Sequence, residues 1–423
     1  MAKAFQSPKG TKDILPEEQA YWRMIEQVME DLTRVFGFQR LNTPIFEDTP
    51  LFQRGVGEAT DIVEKEMYTF KDKGDHSITL RPEFTAGVMR SYIQHGMASR
   101  PTPVKLWSAG PIFRYERPQA GRFRQFHQFN AEALGEQDPV LDFEIMDMAW
   151  QFYDRLKFKN LSFQLNSIGC PDCRPQYLKR LKSFYQNHTS TICDDCNKRL
   201  DKNLLRLLDC KQDQCQPVIE KAPPIYDHLC DDCLDHFTRL RHYLEAAGRT
   251  YTLNHRLVRG LDYYTKTVFE VWAEGIGSQN AVCGGGRYDG LIELLGGKPT
   301  PGVGFAAGLE RTVMIMQHQN ITIPEMRKPA VYFACQHADA QKQALIYITR
   351  LRELGIPCLM GLGGRSFKAQ FREANRREAA YTVTLGDSEL ESGSLTIKEM
   401  RTGTQEICPL EQLVDHFKTV LNC

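Results

Sequence analysis

Several short stretches of this chain carry the residue types that handle phosphate, amines and aromatic rings. "FRYERPQAGRFRQFHQ", residues 113–128, holds Arg114, Arg117, Arg122 and Arg124 among four aromatic rings, in a chain whose 53 Lys+Arg balance 53 Asp+Glu. Alternate residues of a strand share a face. Arg124, Phe126, Gln128, Asn130 and Glu132 are therefore expected on one side of a returning strand, with Arg114 and Glu116 on one side of the outgoing strand. Such a face offers guanidinium groups for phosphate, a ring for a base and carboxylates for an amine or a polar ring. It equally suits a solvated sheet laced by cross-strand ion pairs. Arg117 and Arg122 lie on the "RPQAGR" turn and project beyond the strands, where a larger external polyanion could reach them.

Three further stretches add candidates. "TLRPEFTAG" sets Arg81, Glu83 and Thr85 at a strand end, a spacing that a ligand site or ordinary salt-bridge partners would explain. "LVRGLDYYTKT" puts Arg259 beside Gly260, where a glycine permits close backbone approach. Two adjacent tyrosines in a strand, Tyr263 and Tyr264, cannot both face a core, so one hydroxyl is expected to meet a polar partner. "PGVGFAAGLERTVM" reads as a glycine-rich helix start bearing Glu310 and Arg311; lacking G-x-G-x-x-G and G-K-[ST], it suggests close helix packing rather than a phosphate loop.

Eight of the 13 cysteines crowd one window: Cys170, Cys173, Cys193, Cys196, Cys210, Cys215, Cys230 and Cys233. C-x-x-C spacing in a reducing compartment points to metal or free thiols rather than disulfides. The window has room for up to two four-thiolate zinc sites, with the pairing open, or for reduced thiols and no metal.

Elements must position these groups. Trp22, Ile25, Met29, Leu32 and Phe36 mark an amphipathic helix over 16–36, with Pro16 near its start and Gly37 near its end. "RLNTPIF", "MYTF", "SITLRPE" and "PVKLWSAGPIFRYE" read as extended, and the last forms an antiparallel hairpin with "FRQFHQFNAEALG". A helix is expected over 139–157, an insertion over about 167–245, then strands "TYTLNHRLV" and "KTVFEVWAE". Past "ITIPEMRKPA" strands and helices alternate, giving domains at 1–326 and 327–423, the second a small α/β domain with a largely parallel sheet. Its second helix carries a basic stripe, Lys368, Arg372 and Arg376, which suits an RNA arm or a solvated face.

Zero net charge argues against a protein that coats nucleic acid non-specifically. No apolar run approaches a membrane span, and the first residues lack the apolar core of a signal peptide, so a cytoplasmic protein is expected.

In combination these stretches resemble the class II aminoacyl-tRNA synthetases. The Pro44 region, the "FRYER…RFRQFHQF" hairpin and "GVGFAAGLER" follow the order of that class's three signature motifs, while "LVRGLDYYT" and "CGGGRYDGL" are similar to elements particular to histidine–tRNA ligases. The resemblance covers essentially the whole chain. It implies an α+β catalytic domain, an antiparallel sheet flanked by helices, followed by an anticodon-binding domain; the cysteine-rich insertion is outside the family's core pattern. It implies a homodimer and the reaction of L-histidine, ATP with Mg²⁺, and tRNA(His). Arg114 and Arg259 would hold the α-phosphate, Arg122 the ATP phosphates, and Phe126 with Arg311 would sandwich adenine. Glu83, Thr85 and Gln128 would take the histidine amino and carboxylate groups, Glu132 and Tyr264 its imidazole nitrogens, with Tyr263 beside them. Arg117, Gln119 and Arg124 would approach the tRNA acceptor end. A histidine-binding regulatory paralogue of a phosphoribosyltransferase is the alternative; such paralogues lack the C-terminal domain and parts of the ATP and tRNA sites. A zinc-dependent nucleic-acid-binding protein would rest on the cysteines alone.

Overall fold

In a computed structural model, residues 4–421 are described, apart from 59, 202, 275–280, 326, 327 and 363. The chain forms two compact units, Met1–Pro324 and Glu325–Cys423. The domain boundary expected at 326/327 falls on two residues outside the described set.

The first unit is built on an eight-stranded sheet in the order Gln39–Arg40, Val104–Phe113, Gln125–Leu134, Gly302–Gly308, Ala281–Arg287, Thr265–Ala273, Leu161–Ser167, Thr252–Leu253. The two edge pairs are parallel and every inner pair is antiparallel. Alternation sorts the faces. Phe129, Ala131, Ala133, Val303, Phe305, Phe269 and Val271 point into one core with Trp22, Ile25, Met29 and Leu32 of the helix Gln19–Val35. Helices Pro139–Arg155, Asp231–Ala246 and Leu309–His318 close that side. The opposite face carries Gln128, Asn130 and Glu132 beside Leu106, Ile112 and Val268, which join a second core.

Three readings change. "RLNTPIF" is not one strand: Gln39–Arg40 joins the large sheet, and Phe46–Asp48 joins a smaller one with Ser77–Leu80 and Tyr68–Lys71. Pro44 has no N–H for a ladder, and the Arg81 guanidinium takes the Thr43 carbonyl at 2.9 Å and approaches that of Pro44 at 3.4 Å. "PGVGFAAG" is a strand, Gly302–Gly308, with the helix starting only at Leu309, because Val303, Phe305 and Ala307 enter the core with period two. "TYTLNHRLV" shrinks to Thr252–Leu253; Asn254 then turns the chain, its carbonyl accepting from the Leu257 N–H.

The insertion leaves the sheet after Ser167 and returns through the helix Asp231–Ala246. Its Tyr177, Leu181, Tyr185, Leu207 and Ile219 share a core with Tyr263, Tyr264 and Val268. A buried charge cluster ties that returning helix to the sheet. Asp142, fully buried, accepts from Arg287 Nε at 3.0 Å and lies 3.1 Å from His236 Nε2. Burial pushes the Asp142 carboxyl up, but Arg287 and His236 outweigh it and hold it well below the usual carboxylate range.

In the second unit Cys358–Met360, Val331–Cys335 and Tyr381–Leu385 run parallel, and Ser394–Glu399 and Gln405–Pro409 add two antiparallel strands. The hairpin strand Gln405–Pro409 has no clear apolar alternation; four of its five residues are exposed. Lys368, Arg372 and Arg376 are exposed on the helix Phe367–Arg376, which buries Gln370 and Ala374.

Candidate active site

One cleft of about 400 Å³ opens on the face of the large sheet that carries Glu132. It gathers Glu83, Thr85, Arg114, Arg122, Phe126 and Gln128. Glu132, Arg259, Tyr263, Tyr264 and Arg311 line it as well. The sheet register explains its floor. Glu132, Gly304, Gly286 and Val268 lie in one row across four strands, and Asn130, Ala306, Gly284 and Glu270 in the next. The middle of each row has almost no side chain, and neighbouring groups fill the space. A Cβ on Gly304 would lie 1.8 Å from Glu132 Oε2, one on Gly284 2.4 Å from the Arg259 guanidinium, and one on Gly286 3.0 Å from the Tyr264 ring. These glycines therefore clear room for the site, which the packing reading of "PGVGFAAG" did not anticipate.

Glu132 is fully enclosed. Its Oε1 accepts from Thr85 Oγ1 at 2.6 Å and Asn130 Nδ2 at 3.0 Å, and its Oε2 accepts from the Tyr288 hydroxyl. Burial pushes its carboxyl up to about 7, although all three donors pull the other way. Glu83 is not salt-bridged to Arg81. Its carboxylate accepts the N–H of Thr85 at 2.6 Å and of Ala86 at 2.7 Å, capping the helix Thr85–Gln94, and burial raises its pKa.

Arg259 pairs with Glu270, whose other oxygen accepts from Trp272 Nε1 at 2.7 Å. Burial opposes the charge on Arg259, but Glu270 more than restores it. Among the described residues its Nε is buried without a hydrogen-bond partner, as is Gln128 Oε1. Arg114 is anchored by Nε on the Pro82 carbonyl at 2.8 Å and stands 5.7 Å from the Phe126 ring centroid. Arg311 donates to the carbonyls of Gly121 at 3.0 Å and Ala281 at 2.7 Å, and Arg122 pairs with Glu116 at 3.1 Å. Glu310, next to Arg311, receives the His127 backbone N–H at 2.8 Å.

Tyr263 and Tyr264 are both buried, with rings 4.7 Å apart. They occupy a turn, not a strand, so the alternation that would have expelled one does not apply. Arg124 precedes the strand, and its guanidinium lies 3.7 Å from the Tyr115 ring centroid, outside the cleft, instead of beside Phe126. Arg117 and Gln119 are exposed on the turn. Residue-by-residue reading missed Tyr288, though it lies in "CGGGRYDGL", and Glu270, a carboxylate on the Val268–Trp272 face of an apolar strand.

The cysteines sort into two groups, Cys170, Cys173, Cys230, Cys233 and Cys193, Cys196, Cys210, Cys215, each with all its sulfurs within 4.8 Å of one another. Each group could hold a metal ion. Among the described residues none of the eight lines the cleft.

An antiparallel sheet flanked by helices, with an arginine-rich hairpin and a glycine-floored cleft, is the fold of the class II aminoacyl-tRNA synthetases. Residues 10–312 match the family described as histidyl-tRNA synthetase, and residues 330–419 the anticodon binding domain. The chain belongs to the histidyl-tRNA synthetase family. A histidine–tRNA ligase of Dehalococcoides mccartyi is 49% identical over 414 residues, 98% of this chain and 99% of the relative. One of Acetivibrio thermocellus is 50% identical over 413 residues, 98% and 99%. The crystal structure of apo S. aureus histidyl-tRNA synthetase superposes with a TM-score of 0.82 at 37% identity, covering 98% of this chain and all of that one.

Proposed function

We propose that this chain activates L-histidine with ATP and transfers it to tRNA(His). The observation that carries the reading is the shared cleft, in which buried Glu132 and the Arg259 guanidinium lie over one glycine floor. Glu132 and Tyr264 hold the two imidazole nitrogens, with Tyr263 packed beside them. Glu83, Thr85 and Gln128 take the amino and carboxylate groups. A pocket built around polar atoms rejects analogues that lack them, because its own buried groups would go unpaired. Phe126 and Arg311 sandwich adenine, and Arg122 takes the ATP phosphates.

In the first step a histidine carboxylate oxygen bonds to the α-phosphorus as the bond to pyrophosphate breaks, leaving histidyl-adenylate. Arg114 and Arg259 meet the negative charge that gathers on the α-phosphate oxygens, in a site whose donors are already oriented. In the second step a terminal tRNA hydroxyl attacks the acyl carbon and AMP leaves. Arg117, Gln119 and Arg124 guide the acceptor end.

Mg²⁺ would arrive on the phosphate oxygens of the nucleotide, since Glu116 and Glu270 at the cleft are already paired with Arg122 and Arg259. Bound there, the ion would neutralise phosphate charge. Zinc in the insertion is structural in this reading. The chain is a homodimer, supported by exposed Ile45, Phe46 and Phe70 around the Pro44 region. A cytoplasmic location is supported by free thiols among the described cysteines. No helix among the described residues is long and apolar enough to cross a membrane.

Histidine-dependent exchange of labelled pyrophosphate into ATP, followed by charging of tRNA(His), tests the reading. Arg259→Ala is expected to lower exchange by about 10²–10³ or more while histidine binding largely survives. Near-normal exchange in that variant refutes the mechanism.

A further inference from the structure

We infer that each four-cysteine group holds one zinc ion, and that the ion on Cys170, Cys173, Cys230 and Cys233 positions the Tyr263–Tyr264 turn through Arg174. The second half of this inference rests on the histidine-pocket reading above; the first does not.

All sulfurs of each group lie within 4.8 Å of one another, and several pairs are at the spacing of a thiolate tetrahedron. Zinc–sulfur bonds of about 2.3 Å in a regular tetrahedron place the sulfurs ~3.8 Å apart. Cys170 lies 3.7 Å from Cys173 and 3.8 Å from Cys230, and Cys173 lies 3.9 Å from Cys233. In the other group Cys193–Cys210 is 3.8 Å and Cys196–Cys215 is 3.9 Å. A disulfide would need about 2.05 Å. Each group gathers four sulfurs, in the first group from knuckles 60 residues apart. Backbone N–H groups point at the sulfurs: Cys170 N to Cys173 Sγ at 3.3 Å and Cys193 N to Cys215 Sγ at 3.2 Å. All-sulfur, four-coordinate donor sets select zinc or iron.

The first group is coupled to the cleft through Arg174. Arg174 follows Cys173 directly. Its guanidinium donates to the carbonyls of Ile168 at 3.0 Å, Gly169 at 3.1 Å and Tyr264 at 2.6 Å. Gly169 adopts φ +66, and a Cβ there would lie 2.8 Å from Cys173 Sγ. The same glycine carbonyl accepts the Lys266 N–H at 2.8 Å. Fixing Cys173 therefore fixes Arg174, and Arg174 holds the backbone of Tyr264, whose ring occupies the space above Gly286. Arg174 touches no substrate; it is a positioning residue.

Elemental analysis of the full-length protein is expected to give two zinc per chain. Cys233→Ser and Cys215→Ser should each keep one, the double variant none, and Cys358→Ser, in the second unit, both. Since a cysteine variant can fail to fold, wild-type protein from cobalt-supplemented cells gives a second reading, a thiolate-to-cobalt absorption corresponding to two sites. Iron instead of zinc, or metal-free protein that takes up no cobalt, overturns the metal assignment. Arg174→Gln should retain both ions yet bind histidine about tenfold more weakly by calorimetry, with ATP affinity within about twofold. Unaltered histidine affinity overturns the positioning role and leaves the zinc count standing. A wild-type protein with two zinc ions and no histidine binding refutes the proposed function, and with it only the positioning half.

Discussion

Glu132 lies so close over Gly304 that a Cβ at 304 would stand 1.8 Å from its Oε2 and 2.5 Å from the Ala131 carbonyl oxygen. The carboxylate could swing aside; the Ala131 backbone could not. Gly304→Ala is therefore expected to force the two strands apart, with an overpacking cost of about 1–3 kcal/mol. Histidine affinity should fall about tenfold or more, since roughly 1.4 kcal/mol is a factor of ten, while ATP affinity changes little. Calorimetric titration with each ligand checks this; equal losses for both would contradict it.

The raised pKa of Glu132 makes histidine binding depend on pH. Its carboxyl titrates at about 7 in the folded chain against an ordinary 4.5. The folded state thus holds this proton more tightly, so its contribution to stability is complete below 4.5 and lost as pH rises through about 7. The ionised form accepts from an imidazole N–H more strongly than the protonated one, so histidine affinity should weaken as pH falls below about 7. The substrate's own titration remains in Glu132→Gln; the difference between the two pH profiles isolates Glu132. Parallel profiles would exclude it.

The turn residues separate the two half-reactions. Arg117 and Gln119 are exposed and do not line the cleft. Alanine at either position should spare pyrophosphate exchange and lower tRNA charging about tenfold, the worth of one charge-assisted hydrogen bond. Losses of equal size in both assays would remove the tRNA role.

Asp142 and Arg287 form an ion pair with both side chains wholly buried. Breaking it in Asp142→Ala removes the buried partner of the Arg287 guanidinium, leaving Asp289 at 3.1 Å and the Glu136 carbonyl at 2.9 Å, and should cost about 3–5 kcal/mol. The apolar pair Asp142→Leu with Arg287→Met should cost less. Because the Asp142 pKa is depressed, the wild-type contribution is present at neutral pH and lost only as pH falls through its low folded value. Chemical denaturation of the three proteins at neutral pH measures the difference.

Local pattern alone determined a good part of this protein. Period two along residues 126–132 already separates Phe126, Gln128, Asn130 and Glu132 from buried Phe129 and Ala131, because adjacent strand side chains must take opposite faces. The helix Gln19–Val35 follows from its apolar spacing in the same way. Where a distant group intervened, pattern was insufficient. Arg81 captures the carbonyls that "RLNTPIF" would have paired, and a turn lets both tyrosines bury. The glycine floor, the Tyr288–Glu132 bond across 156 residues and the Arg259–Glu270 pair exist only once four strands lie side by side. The cysteines divide the same way. Their spacing announces knuckles, but which knuckle faces which depends on a chain reversal of 60 residues, and spacing within a single segment carries no information about that closure.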